Sequence, residues 1–139
     1  MRTISVERII NAPLEKVWEV AGNFGESPGP SIEITVEKEG DPNLNGVGME
    51  RTIHFLKQKA KIYERLESYD LPKSFSYSVL SGAPVKSYLG QAEFSASGNA
   101  TRVKWSGTFV SKIPGLGWLI GIMSLKSINN FLDELENIE

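Results

Sequence analysis

The sequence contains no cysteine and only one histidine, His54, in 139 residues. Without cysteine the chain has no disulfide, no thiol nucleophile and no cysteine-based zinc or iron–sulfur site. A single histidine excludes a site built from several histidines, and any Ser-His-Asp triad would have to use His54. The carboxylates do not cluster either, so we expect no metal ion and no redox cofactor.

One short stretch imitates the start of a calcium-binding loop, with Asp41, Asn43 and Asn45 followed by Gly46. The twelfth position of such a loop supplies a bidentate glutamate, but here it is Thr52, and strands rather than helices are predicted on both sides. The stretch therefore predicts a polar turn.

Long apolar runs and a strong net charge are also missing. The longest apolar stretch, residues 116–123, is interrupted by two glycines, whereas a membrane-spanning helix needs about 20 apolar residues. The N-terminus has charges at Glu7 and Arg8 and no apolar run of signal-peptide length, so we expect a cytoplasmic protein without a transmembrane segment. The 15 basic and 17 acidic residues give a net charge of -2, which argues against nucleic acid as the main partner.

The periodicity of the apolar residues predicts a single α+β domain over residues 1–139. Alternating apolar residues predict strands, and spacings of three and four predict helices. Short polar turns between the alternating runs favour an antiparallel sheet. We predict strands at 3–10, 32–36, 47–55, 57–66, 73–80, 88–95 and 101–110, a first helix from Pro13, and a last helix at about 115–136.

An ordered set of short motifs covers nearly the whole chain. These are Ile10-Asn11-Ala12-Pro13-x-x-x-Val17-Trp18, Gly46-x-Gly48-x-x-Arg51, Glu64-Arg65-Leu66, Tyr77, Pro84-x-x-x-Tyr88 and Thr101-x-Val103-x-Trp105-x-x-x-Phe109. In this order they resemble the START-like (SRPBCC) superfamily, in its polyketide cyclase/dehydrase branch. The resemblance implies a helix-grip fold, in which a curved antiparallel β-sheet wraps around a long C-terminal helix and leaves a ligand cavity between them. Members of the superfamily include lipid carriers, hormone receptors and aromatase/cyclases.

Two opposite charges fall on the predicted inner face of successive strands. Arg51 is in phase with the apolar residues of its strand, and Glu64 is in phase with those of the next. Such charges are costly unless they are paired, so we predict an ion pair between sheet and helix. The pair either anchors the polar group of a ligand or only fixes the strand register, and Glu64 could also act as a general acid or base.

Several aromatic residues also fall on predicted inner faces. Three of them, Tyr77, Tyr88 and Trp105, carry a hydrogen-bonding tip and are candidate ligand-orienting groups. His54 has the opposite parity, so we expect it on the surface. The full aromatic set is Trp18, Phe75, Tyr77, Tyr88, Phe94, Trp105, Phe109 and Trp118.

These observations lead to three hypotheses about function. The first is a carrier or sensor that binds a small hydrophobic or amphipathic molecule through Arg51, Glu64, Tyr77, Tyr88 and Trp105, with no cofactor. The second is a polyketide cyclase/dehydratase-type enzyme that uses Glu64 or a cavity tyrosine. The third is a protein-interaction module, because the first half of the last helix is apolar almost all round and could form a dimer or partner surface.

A basic stripe follows one face of the fourth predicted strand, with Lys57, Lys59, Lys61 and Arg65 in alternate or nearly alternate positions. It could touch anionic lipid or phosphate. A solvated outer face of the sheet is the simpler interpretation.

Overall fold

Seven antiparallel strands form one sheet, in the spatial order β1-β7-β6-β5-β4-β3-β2. The computed structural model describes residues 1–40 and 46–138, so the imitation calcium loop falls on residues outside the described ones. The elements are β1 (Arg2–Ile10), α1 (Leu14–Ala21), β2 (Ile32–Lys38), β3 (Glu50–Phe55), β4 (Ala60–Asp70), β5 (Ser74–Ser81), β6 (Val85–Ser97), β7 (Ala100–Ser111) and α2 (Gly117–Glu136). The order of strands and helices is the predicted one, and the architecture is the α+β helix-grip fold.

Several element boundaries differ from the prediction: β3 begins at Glu50 rather than at residue 47, β4 ends at Asp70 rather than at residue 66, and β6 begins at Val85 rather than at residue 88. Three further boundaries have a backbone cause. Residues 56–59 form a turn in which Lys59 has a φ of 55°, so β4 begins at Ala60 rather than at residue 57. Gly115 has a φ of 82°, which a right-handed helix does not contain, and α2 therefore begins at Gly117. Pro13 is extended, with a ψ of 153°, and caps α1 instead of occupying its first turn.

Helix α2 packs across the concave face of the sheet, mainly against β1 and β7. The rings of Phe131 on α2 and Trp105 on β7 lie 4.9 Å apart between their centroids. Leu132 and Leu135 are completely buried, and each contributes about 1.5–3 kcal/mol to stability by leaving water. The predicted position of the last helix is confirmed.

The start of α2 corrects one prediction. Trp118 does not belong to the inner face, because 52% of its surface is exposed. The other predicted inner-face aromatic residues are buried. Helical periodicity could not place Trp118, because this part of α2 is apolar on all sides.

The acidic end of α2 is held by a charge from β1. Arg8 lies on the face of β1 that looks toward α2, and its Nη1 is 2.6 Å from Asp133 Oδ1. Its Nη2 donates a hydrogen bond of 2.7 Å to Asn129 Oδ1. This contact offsets the unfavourable placement of acidic residues at a helix C-terminus. Neither helix among residues 1–40 and 46–138 has the length and apolar character to span a bilayer.

Candidate functional site

A cavity of about 100 Å³ lies between α2 and strands β3 to β7. Helix α2 packs directly on β1 and β7, and the cavity opens beside it toward β3, β4 and β5. Its walls are mostly apolar. Exposed lining residues Gly82, Pro84 and Met123 mark where it reaches the surface. The lining comprises Arg51, Ile53, Phe55, Ala60, Ile62, Glu64, Tyr77, Val79, Gly82, Ala83, Pro84, Tyr88, Trp105, Ile120, Met123, Ser124, Ser127, Ile128 and Phe131.

Arg51 and Glu64 form a buried ion pair in the wall of this cavity, as predicted. They are direct partners in the β3–β4 ladder, so both side chains leave the sheet on the same face. Glu64 Oε1 is 3.0 Å from Arg51 Nε and 2.9 Å from Nη2. The remaining arm of the guanidinium, Nη1, donates to the carbonyl oxygen of Phe24 at 3.0 Å.

Phe24 gives Arg51 a second contact, since the guanidinium carbon lies 3.6 Å from the centroid of its ring. The ring face supports the cation through a cation–π interaction. Sequence reasoning missed Phe24 because it lies in the loop between α1 and β2, where no periodicity marks an inward residue. Arg51 is therefore engaged on its Nε, on both terminal nitrogens and on one face.

Glu64 retains one oxygen that faces no protein donor among the described residues, Oε2. Burial raises the pKa of Glu64, and the charge and hydrogen bonds of Arg51 oppose this rise. Of the two charged groups in the cavity wall, Glu64 is thus the one with a hydrogen-bonding position left for another molecule.

Tyr77 and Trp105, two buried residues of the cavity wall, are joined by a hydrogen bond. The indole Nε1 of Trp105 donates a hydrogen bond of 2.9 Å to the hydroxyl oxygen of Tyr77. No hydrogen bond in the described part of the chain uses the hydroxyl hydrogen of Tyr77. Burial raises the pKa of Tyr77 well above its ordinary value, reinforced by Tyr88 and Glu64, so the hydroxyl stays protonated and can donate.

Two glycines make room for the tyrosine rings. Gly90 is the ladder partner of Tyr77, and a Cβ at Gly90 would collide with the ring of Tyr77. Gly107 is the ladder partner of Gly90, and a Cβ there would collide with the end of the Tyr88 side chain. The sequence signal was a glycine inside each of two strands, which often marks a close approach of other atoms to the backbone.

The cavity brings together all the candidate ligand-binding residues that the sequence analysis selected. Sequence reasoning missed Ser124 and Ser127, which supply hydroxyls from α2 near the opening. They are three residues apart and interrupt the apolar face of the helix, and that was the available signal. Burial raises the pKa of Tyr88, and a hydrogen bond with Ser124 opposes this rise.

His54 does not line the cavity. It is partly exposed on the opposite face of β3, where its Nδ1 lies 3.3 Å from Glu33 Oε1 on β2. The parity argument placed it correctly outside the cavity.

Comparison with known families agrees with this geometry. The family described as polyketide cyclase / dehydrase and lipid transport matches residues 1–135. The chain belongs to this family. No curated protein shows significant similarity to it.

Solved structures share the fold of this family member at low sequence identity. Protein XoxI from Bacillus cereus is 24% identical, with a TM-score of 0.74 over 98% of this chain and 94% of that one. A START superfamily protein from Mycobacterium smegmatis is 12% identical, with a TM-score of 0.76 over 96% and 94%. Norcoclaurine synthase from Thalictrum flavum, in complex with dopamine and hydroxybenzaldehyde, is 15% identical, with a TM-score of 0.73 over 97% and 84%. These similarities establish the helix-grip fold.

Proposed function

We propose that the protein binds a small hydrophobic or amphipathic molecule in the cavity between sheet and α2, as a carrier or sensor. The observation that carries the proposal is an apolar cavity, open at one end, whose buried wall holds Glu64 Oε2 and the hydroxyl of Tyr77. Apolar pockets with a few fixed polar groups are the usual form of small-molecule sites. The description of the family, which includes lipid transport, agrees with this function.

The size of the cavity limits what enters it. A dry cavity of about 150 Å³ holds benzene, so an enclosed space of about 100 Å³ takes a short chain, or part of a ring whose remainder lies in the opening. A longer ligand extends past Met123 at the opening. The part of the ligand inside the cavity is mostly apolar. It carries at most one polar group, which forms a hydrogen bond with Glu64 or Tyr77.

The test has two parts. Native mass spectrometry of freshly purified protein is expected to detect a co-purifying lipophile. A titration with p-cresol, which is one ring with a hydroxyl, is expected to shift the methyl resonances of Ile62 and Ile120. Toluene, which lacks the hydroxyl, is expected to bind more weakly because it leaves the polar groups of the cavity unpaired.

A matched pair of variants controls the titration. Ser124→Phe places a ring in the mouth of the cavity and is expected to abolish the p-cresol shifts. Ser97→Phe adds the same ring at an exposed position at the end of β6 and is expected to leave them unchanged. The carrier proposal is wrong if neither a lipophile nor a p-cresol shift is found, or if both variants behave alike.

A second candidate function is catalysis of the cyclase/dehydratase type, and one observation favours it. The buried carboxyl of Glu64, with its raised pKa and free Oε2, is placed to exchange a proton with a molecule in the cavity. Catalysis would speed the exchange of the methyl hydrogens of acetophenone in D2O, and Glu64→Gln would remove the acceleration. Exchange at the buffer rate would exclude this proton transfer for a one-ring ketone while leaving the carrier function untouched.

A further inference from the structure

Exposed apolar side chains follow one side of the first half of α2, next to the mouth of the cavity. Trp118, Leu119, Ile122 and Met123 are all exposed. They are one and four residues apart, so they form one stripe along the helix. Met123 belongs both to this stripe and to the lining of the cavity, so the stripe is continuous with the opening.

Lysines also lie on the chain segments that border this opening. We define the rim as residues 55–62, 82–89 and 111–127, which contain the lining residues near the surface and the stripe. The three segments approach one another, since Lys112 N donates to Pro84 O at 2.9 Å and Gly82 lies against the backbone of Lys61. All the lysines of the rim are exposed: Lys57, Lys59, Lys61, Lys86, Lys112 and Lys126. Lys61 is the ladder partner of His54 and leaves the sheet on the face away from the cavity, so the other five carry the argument.

The rim has no Asp or Glu, although the protein as a whole is acidic. It holds six of the 15 basic residues, so the rest of the chain has nine basic residues against 17 acidic ones. Beside the rim on β2, Glu33 has its Oε1 3.3 Å from Nδ1 of His54. The rim is therefore a basic region on a protein whose remaining charge is strongly negative.

We propose that the rim docks onto an anionic lipid bilayer, with the α2 stripe in the interface and the lysines on the headgroups. Aromatic and aliphatic side chains flanked by lysines are the combination that binds peripheral proteins to anionic membranes. Trp118 is well suited to the headgroup boundary, because its indole is apolar with one N–H donor. Docking in this orientation places the opening of the cavity against the lipid.

Charge selects the bilayer over a second copy of the chain. A symmetric dimer through the rim would place each lysine cluster against the same cluster of the partner, because a two-fold interface pairs a surface with itself. Like charges facing one another oppose such an interface. An anionic surface instead complements both the apolar stripe and the lysines.

Vesicle binding tests the proposal directly and does not depend on what the cavity binds. At low ionic strength the protein is expected to sediment with vesicles of equal parts phosphatidylcholine and phosphatidylglycerol. It is expected not to sediment with phosphatidylcholine alone, and added salt should release it. If the protein does not bind the mixed vesicles at low ionic strength, the proposal is wrong. It stays wrong even if the rim is then found to bind an acidic protein.

Tryptophan fluorescence reports the orientation. Trp18 and Trp105 are 6% and 3% exposed, so Trp118 is the one tryptophan that vesicles can reach from solution. Mixed vesicles are expected to shift the emission to shorter wavelength, and Trp118→Phe is expected to remove the shift while binding persists. Binding without a shift in the unaltered protein would show that another face docks and would overturn the proposal.

Two sets of variants separate the rim from general charge and hydrophobicity. The triple variant Lys57→Gln, Lys112→Gln and Lys126→Gln is expected to weaken binding on the order of 100-fold, at about fivefold per lysine. The control triple removes the same charge at exposed positions outside the rim and is expected to cost severalfold at most. It consists of Lys16→Gln, Lys38→Gln and Lys104→Gln.

The apolar set consists of two double variants. The first combines Trp118→Ala and Ile122→Ala in the stripe. The second, the control, combines Leu71→Ala and Ile9→Ala, at residues that are exposed elsewhere on the surface. The first double variant is expected to weaken binding at least tenfold and the second to leave it unchanged. Equal binding by the rim and control variants in both comparisons would overturn the proposal. Far-ultraviolet circular dichroism of each variant checks that the fold is intact.

Discussion

The Arg51–Glu64 pair is held by contacts that strand pairing alone would not provide. Glu64 takes two of the guanidinium nitrogens, the carbonyl of Phe24 takes the third, and the ring of Phe24 covers one face. Burying two charges is expensive, and these contacts offset the cost. Removing one partner alone therefore leaves a buried charge without its counter-ion.

We predict that Glu64→Gln lowers the free energy of unfolding by about 3–5 kcal/mol, because Arg51 stays buried without a negative partner. The double variant Arg51→Met with Glu64→Leu is expected to cost much less, since it removes both charges and keeps similar volume. Urea denaturation measures the free energy of unfolding of both variants. Replacing Glu7 in the Glu7–Arg102 pair, which has the same 2.9 Å separation but is exposed, is the control and should cost no more than about 1 kcal/mol. Similar losses at Glu64 and Glu7 would contradict a dry, buried pair.

The glycines under the tyrosine rings give a second prediction at the residue scale. Gly90→Ala is expected to be destabilising and to displace the Tyr77 ring, because the new methyl group occupies the space of that ring. Loss of the Tyr77–Trp105 hydrogen bond should then change the near-ultraviolet circular dichroism.

Gly121→Ala is the matched control within α2. Its Cβ would meet Ile4 and Phe109 at ordinary contact distances of 3.5 and 3.8 Å, and alanine is about 1 kcal/mol better than glycine in a helix. It should be neutral or stabilising. A stable Gly90→Ala variant with an unchanged aromatic spectrum would show that the ring does not need this space.

At the scale of elements, strand parity was the most informative sequence signal. It predicted that Arg51 and Glu64 share the inner face, because a strand alternates its side chains and a short turn fixes which residues face each other. Periodicity could not tell inward from outward residues in loops or in segments that are apolar on every side. Phe24 lies in a loop, and Trp118 lies in a helix segment that is apolar on all sides.

The end of α2 gives a prediction for one element. Arg8→Met is expected to speed amide hydrogen exchange in the last two turns of α2 up to about fivefold, because Asp133 and Glu136 then oppose the helix dipole without a cation. Hydrogen–deuterium exchange with mass spectrometry measures the change. Arg102→Met removes an exposed arginine on β7 that does not contact α2 and should leave exchange in α2 unchanged. Equal effects would mean that Arg8 acts through net charge alone.

For the whole molecule, composition and motif order predicted the fold class, the family and the location of the cavity. They could not predict how much of the concave face α2 covers. Because α2 lies mainly against β1 and β7, the space beside β3, β4 and β5 stays open. That offset depends on the packing of the whole core, including the close approach of α2 to β1 at Gly121, and no local pattern encodes it.

The tyrosines link the cavity to the pH dependence of the whole protein. All four have a raised pKa: a hydrogen bond to Glu50 is the main cause for Tyr63, and burial is the main cause for Tyr69, Tyr77 and Tyr88. The folded state therefore holds these protons more tightly than the unfolded state. Their contribution to stability is fully present below the ordinary tyrosine pKa of about 10 and is lost as the pH rises above it.

We predict that the folded protein shows less tyrosinate absorbance at about pH 10 than the urea-unfolded protein at the same pH, and that the free energy of unfolding falls as the pH rises further. Tyr77→Phe should reduce the slope of this fall more than Tyr63→Phe does, because burial raises the pKa of Tyr77 well above its ordinary value. The comparison between these two variants cancels the common titration of lysines. A normal tyrosine titration in the folded protein would mean that the hydroxyl of Tyr77 is in contact with bulk water. The cavity would then be a solvent-filled cleft rather than an apolar site.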